Sequence, residues 1–173
     1  LPPSFFHSFF VVFIRFSKFA LIYFHSRGLL TPCEFGKPWG YMAAGRWLEA
    51  RPIVEETLSI EEALHGHLHL KCVPTLAMLA SICSAISEYV KAESLYLKAK
   101  MIMVNASMEQ HQTYAALLSG LAGFHQNIGA YEKAEPLYLE SKKIQAKALG
   151  EQHPDYAGTL NDLAVLYQKM GAY

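Results

Sequence analysis

The sequence predicts an all-α fold, an α-solenoid in which antiparallel helix hairpins stack with a right-handed sense. Three observations lead there. Like residues return every 42 positions without insertion or deletion from Tyr41 onward. Within each period apolar residues fall at i, i+3, i+4 and i+7, the stripe of an amphipathic helix. Glycine recurs where a hairpin must turn, in all but one of the periods.

The period is carried by many positions at once. Trp47, Tyr89, Tyr131 and Tyr173 keep the 42-residue step, as do Ala50, Ala92 and Ala134. So do Leu76, Leu118 and Leu160, then Leu79, Leu121 and Leu163, then Ala80, Ala122 and Ala164. Ile60, Ile102 and Ile144, the pair Tyr96 and Tyr138, and His69, His111 and His153 obey it too. Self-similarity of this kind marks a repeat architecture before any residue is read singly.

Each element follows from its own signals. The second helix of a first unit is expected over 46–64. A full unit follows at 73–107, another at 112–149, and the first helix of a fourth unit at 155–170. In the first helices the stripes are Leu76, Leu79, Ala80, Cys83; Leu118, Leu121, Ala122, His125; and Leu160, Leu163, Ala164, Tyr167. The small third member lets another helix approach closely. In the second helices Ala134, Leu137, Tyr138, Ser141 and Ile144 turn inward at mixed i+3/i+4 spacing. Gly45, Gly129 and Gly171 share the phase just past a first helix, with Ser87 in the fourth place, and Gly66 and Gly150 stop the second helices. His153-Pro154-Asp155 reopens a helix, with proline and an acid where the first turn tolerates both. Pro52 and Pro136 share a phase inside the second helices, where an interior proline costs up to ~3 kcal/mol. Their recurrence predicts a solvent face or a place near the helix start.

Composition narrows the function. Fifteen Lys+Arg balance fifteen Asp+Glu, so the basic excess of a nucleic-acid binder is missing. At 52% apolar and 17% charged the chain is not disordered. Cys33, Cys72 and Cys83 form no CxxC and no even framework, which predicts reduced thiols in a cytoplasmic protein. No GxSxG, P-loop, GxGxxG or HExxH is present, so no enzyme activity and no cofactor are expected.

The stretch Leu160-Asn161-Asp162-Leu163-Ala164-Val165-Leu166-Tyr167, preceded by His153-Pro154-Asp155-Tyr156, resembles the tetratricopeptide repeat (TPR) of kinesin light chains. The matching second helix is Gly129-Ala130-Tyr131-Glu132-Lys133-Ala134-Glu135-Pro136-Leu137-Tyr138. The resemblance covers residues 41–173 and includes the 42-residue period typical of that subgroup. It implies a TPR superhelix, a scaffold or adaptor whose concave groove holds peptide segments of partner proteins. It also implies that Asn161 helps clamp the peptide backbone; the equivalent positions hold Ser119 and Ala77, which depart from the pattern. The heptad coiled coil that joins kinesin light chains to the motor heavy chain is absent from these residues, so a motor partner follows from the family name only. The other reading is a regulatory TPR sensor attached to a larger, for example nucleotide-binding, protein.

The groove-side row should run beside the core stripe: Ala77, Ser81, Ser84; then Ser119, Gly123, Gln126, Asn127; then Asn161, Val165, Gln168, Lys169. It is small and uncharged but for Lys169, so a basic clamp for a carboxylate tail is not expected. Bland readings weigh against other candidates. His65-Gly66-His67-Leu68-His69 invites a metal, but His69 belongs to the repeat and no fourth ligand stands near. Cys83 and His125 occupy core phases.

Residues 1–40 stand outside the repeat. Residues 1–30 hold eight of the ten Phe, with Arg15, Lys18 and Arg27 and no acid. Arg15 and Lys18 interrupt the apolar runs, against a membrane span. A cap on the solenoid end and translated non-coding sequence are the other readings, and the abrupt loss of register favours the last. Two prolines and two glycines in residues 31–40 should forbid helix there. The chain opens at Leu1, as a fragment would. With two full units and two halves it is expected to be marginally stable, with bare apolar ends.

Overall fold

The computed structural model describes residues 38–171; the expectations for residues 1–37 and for Tyr173 lie outside the described residues. Seven α-helices and one 3₁₀ turn are described, and no strand is found among these residues. The chain divides into two compact units, residues 1–67 and 68–173.

In the first unit α1 (Pro38–Ala43) leads through a tight turn to α2 (Trp47–His65). The expectation that residues up to Gly40 could not be helical is corrected here. Pro38 opens α1 in the first turn, where its missing N–H has no intrahelical role, and Gly40 follows within the helix. Gly45 turns the chain at φ +70°. Arg46 then starts α2, pairing with Glu49 and lying 4.8 Å from the centroid of the Tyr41 ring. Pro52 is exposed, as its recurrence predicts, and so is Pro136 in the second unit. Both sit on the water side of helices that continue past them.

The second unit opens with the turn Leu70–Cys72 and α3 (Val73–Ala85), paired with α4 (Tyr89–Asn105). Next come α5 (Gln112–Asn127), paired with α6 (Tyr131–Ala148), and α7 (Pro154–Met170) against α6. The first helices α3, α5 and α7 are neighbours in turn, and α4 contacts α5.

The core explains the period. Each first helix uses two adjoining rows. One row is Cys72 of the preceding turn with Thr75, Leu79, Ile82 on α3; Tyr114, Leu117, Leu121, Phe124 on α5; and Tyr156, Thr159, Leu163, Leu166 on α7, all buried. The other row, Leu76, Ala80, Cys83 and Leu118, Ala122, His125, is equally buried on α3 and α5. On α7 the second row is open, with Leu160 40% exposed and Ala164 exposed, so the last stripe is bare in part. Second helices turn Ala92, Tyr96, Ala99, Ile102, Met103 and Ala134, Tyr138, Ser141, Ile144, Gln145 inward at matching phases. Burying a leucine such as Leu76 or Leu118 stabilises by about 1.5–3 kcal/mol. Phe124 of α5 ties one hairpin to the next, with ring centroids 6.4 Å from Tyr89 and 6.1 Å from Tyr96 of α4.

The recurring histidines have a local task. Nδ1 of His69, His111 and His153 accepts the backbone N–H two residues on, from Lys71, Thr113 and Asp155, at 3.2 Å each. Each imidazole thus satisfies one of the donors left free where a helix begins. Just past the first helices, Gly129 and Gly171 take φ +79° and +71°, and Ser87 takes +65° in their place. The chain closes there through Glu88 N–H to the Cys83 carbonyl and Ala130 N–H to the His125 carbonyl, 2.8 Å each.

Candidate functional site

The row expected to face a ligand splits in two. Asn127, Asn161, Gln168 and Lys169 are exposed, and Val165 is half-buried between them. Ser84 and Ala77 are half-buried on α3.

Ser81, Ser119 and Gln126 are turned to the interior instead. Ser81 Oγ lies 3.0 Å from the Ala77 carbonyl and 2.8 Å from the Tyr96 hydroxyl, so it ties α3 to α4. Ser119 Oγ is 2.7 Å from Ser141 Oγ and 3.4 Å from Thr159 Oγ1. Ser141 donates its proton to the Ala115 carbonyl at 2.8 Å. Ser119 must therefore donate to Ser141, and Thr159 to Ser119, so that one chain of hydroxyls crosses α7, α5 and α6. Gln126 is 9% exposed, and its Oε1 has no partner within the described residues. Helical periodicity put all three beside the core. It did not show that a first helix flanked by two neighbours buries part of that border too.

Three residues beneath the row, Gly120, Tyr96 and Tyr138, were not singled out as site residues, and Gly123 of the row packs with them. Gly120 lies against Tyr96: a Cβ there would be 3.3 Å from the ring. A Cβ on Gly123 would be 3.4 Å from the Tyr138 hydroxyl. The two glycines flatten α5 over two buried tyrosines. Burial raises the Tyr96 phenol, against the Ser81 hydrogen bond. Burial, with the nearby Asp162 charge, pushes Tyr138 up to about 12. Burial also raises the Asp162 carboxyl above its usual range. Both phenols are neutral at physiological pH and act as hydrogen-bonding groups. The sequence signal was available: a glycine inside a helix gives up about 1 kcal/mol against alanine, which calls for a packing reason.

The remaining candidates have structural roles. His67 pairs with Glu62 at 3.1 Å, and His69 caps a turn. Among the described residues no three His, Cys, Asp or Glu side chains gather where they could hold one metal ion. Cys72 and Cys83 are fully buried. His125 is buried against Phe124, ring centroids 5.2 Å apart, and desolvation lowers its pKa. No described helix is long and apolar enough to cross a membrane.

Comparison with known proteins agrees with this architecture. The tetratricopeptide repeat family model matches residues 40–100 and 113–173. No curated protein matches the chain. Among solved structures it is similar to BtubC (BKLC) from P. vanneervenii, with a TM-score of 0.67 and 22% identity over 78% of this chain. It is also similar to the candidate kinesin light chain of Podosopora anserina with nearly identical TPR-like repeats, with a TM-score of 0.70 and 24% identity over 78% of this chain. A singly substituted form of that protein gives a TM-score of 0.62 and 22% identity over 89% of this chain and 76% of its own. The chain spans 53% of BtubC and 64% of the Podosopora anserina protein, so it corresponds to part of each. The family match covers both hairpin blocks, and the solved relatives share the fold: the chain belongs to the tetratricopeptide repeat family.

Proposed function

We propose that the chain is a protein-interaction scaffold that holds an extended peptide segment of a partner along its first helices, in the manner of a kinesin light chain groove. The fold supports the scaffold reading, because stacked helix hairpins offer a continuous surface and the site residues carry no catalytic constellation. One observation carries the finer reading. Asn127 on α5 and Asn161, Gln168 and Lys169 on α7 are all exposed. Carboxamides donate and accept at once, which suits a peptide backbone read without regard to sequence. Lys169 favours an acidic residue at one end. Such a binder works in the cytoplasm, needs no cofactor, and takes protein rather than nucleic acid or a small molecule.

The test is selection from a displayed library of short random peptides against the full chain, followed by fluorescence anisotropy with the selected peptides. Asn161→Ala combined with Gln168→Ala should weaken them at least about tenfold, or about 1.4 kcal/mol, with circular dichroism unchanged. Peptides that bind equally well to this variant would place the ligand elsewhere and remove the groove reading.

A further inference from the structure

One buried tyrosine meets its neighbours differently in the two hairpins. On α3, Ser81 Oγ lies 2.8 Å from the Tyr96 hydroxyl. On α5, Gly120 passes over the same side chain, with its Cβ position 3.3 Å from the ring and 3.4 Å from the hydroxyl. One period on, Tyr138 takes the place of Tyr96, Gly123 that of Ser81 and Asp162 that of Gly120. The hydroxyl that satisfies the first tyrosine is gone at the second. A carboxylate stands where the first tyrosine meets a bare backbone.

Tyr138 is left with an unused polar end. Its side chain is 3% exposed and packs in a cluster with Leu163 of α7, the residue after Asp162. Its hydroxyl makes no hydrogen bond with any described residue. A Cβ on Gly123 would meet that hydroxyl at 3.4 Å and, beyond its own helix backbone and chain neighbours, no other atom within 4 Å. Glycine therefore leaves a notch over the phenol on the side that Ser81 fills one period earlier. Asp162 is exposed beside it and makes no ion pair or hydrogen bond among the described residues. Its charge acts on Tyr138, while burial raises its own carboxyl with no cation opposing. Lys169, about two turns along α7, does not fill that part.

The chemistry of the pair selects the missing group. A carboxylate only accepts hydrogen bonds, and a neutral phenol has a lone pair to offer as well as a proton. Both favour a donor, and an unbalanced negative charge at a half-desolvated edge favours a positive one. An ammonium or a guanidinium meets all of these demands at once.

We propose that Gly123, Tyr138 and Asp162 form a subsite for one lysine or arginine side chain of the bound peptide. The subsite rests on the groove reading above and adds to it a choice of residue.

Peptides selected from the displayed library should carry lysine or arginine at one shared position. Fluorescence anisotropy with the full chain then compares each peptide with a copy bearing norleucine there, which keeps an aliphatic side chain and removes the charge. On the native chain, norleucine should weaken binding at least about tenfold. Asp162→Asn should bring the two peptides within about twofold of each other. Gly123→Ser should do the same, because it restores the hydroxyl of the earlier period and closes the notch. Circular dichroism should be unchanged in both variants. Asn161→Ala with Gln168→Ala should weaken both peptides alike and keep their ratio. Peptides that depend on Asn161 and Gln168 but share no basic position overturn the subsite and leave the groove standing, as does a norleucine ratio that Asp162→Asn or Gly123→Ser leaves unmoved. If no selected peptide depends on Asn161 and Gln168, the groove reading falls and the subsite falls with it.

Discussion

Ser87 holds the left-handed conformation that glycine supplies at the other three positions of this phase. Its φ is +65°, against +70°, +79° and +71° at Gly45, Gly129 and Gly171. An L-residue loses about 1–2 kcal/mol there, because its Cβ crowds the backbone. Glycine gives back about 0.5–1 kcal/mol through the extra freedom of the unfolded chain. Ser87→Gly should therefore stabilise by a net of about 0.5–1 kcal/mol. The side chain removed does little, since its one recorded bond is from the exposed Tyr89 hydroxyl at 3.4 Å. The reciprocal Gly129→Ser should destabilise by a similar amount, and for the same reason alone, since a Cβ on Gly129 meets nothing within 4 Å. Urea denaturation followed by far-ultraviolet circular dichroism reads both. With a slope of about 2 kcal/mol per M, the midpoints should move up and down by about 0.3–0.5 M. If Ser87→Gly is neutral or harmful while Gly129→Ser is harmful, the αL penalty at Ser87 is already offset by its side chain, and the reasoning fails.

Two further predictions concern imidazoles. His111→Ala removes the cap on α5 and should cost about 0.5–2 kcal/mol by the same urea assay, whereas His111→Asn keeps an acceptor and should recover most of it. His125 has a pKa lowered first by desolvation, with Glu93 opposing and Lys133 assisting. The folded chain prefers it neutral, so its contribution is full above the unfolded value near about 6.5 and is lost as pH falls from there toward the folded pKa. His125→Tyr should flatten stability against pH across that window. It would place a phenol beside Glu93 as Tyr167 stands beside Glu135, 2.8 Å apart, one period on. An unchanged pH slope in this variant would remove His125 as its source.

The repeat made most of the fold legible. Helices expected at 46–64 and 155–170 appear as Trp47–His65 and Pro154–Met170, and glycines stop them where the phase requires. The reason is that each apolar phase recurs, so chance matches are filtered out. What the period could not show is what differs between units. The inward bonds of Ser81 and Ser119 and the burial of Gln126 depend on the helices packed against them, which no single helix reveals. The three capping histidines were visible as a repeat, but their task lies in backbone geometry before the helix. The tyrosines beneath Gly120 and Gly123 were likewise visible only as members of a core.

The hydroxyl chain through Thr159, Ser119, Ser141 and the Ala115 carbonyl has a counterpart one period earlier that is entirely apolar: Leu117, Ala77 and Ala99. Grafting a single hairpin from one place to the other would strand a hydroxyl against hydrocarbon, at about 1–3 kcal/mol for each donor left alone. Neighbours are thus matched like keyed bricks. Shuffling modules by recombination would be penalised here, and the order of these look-alike segments is itself inherited information.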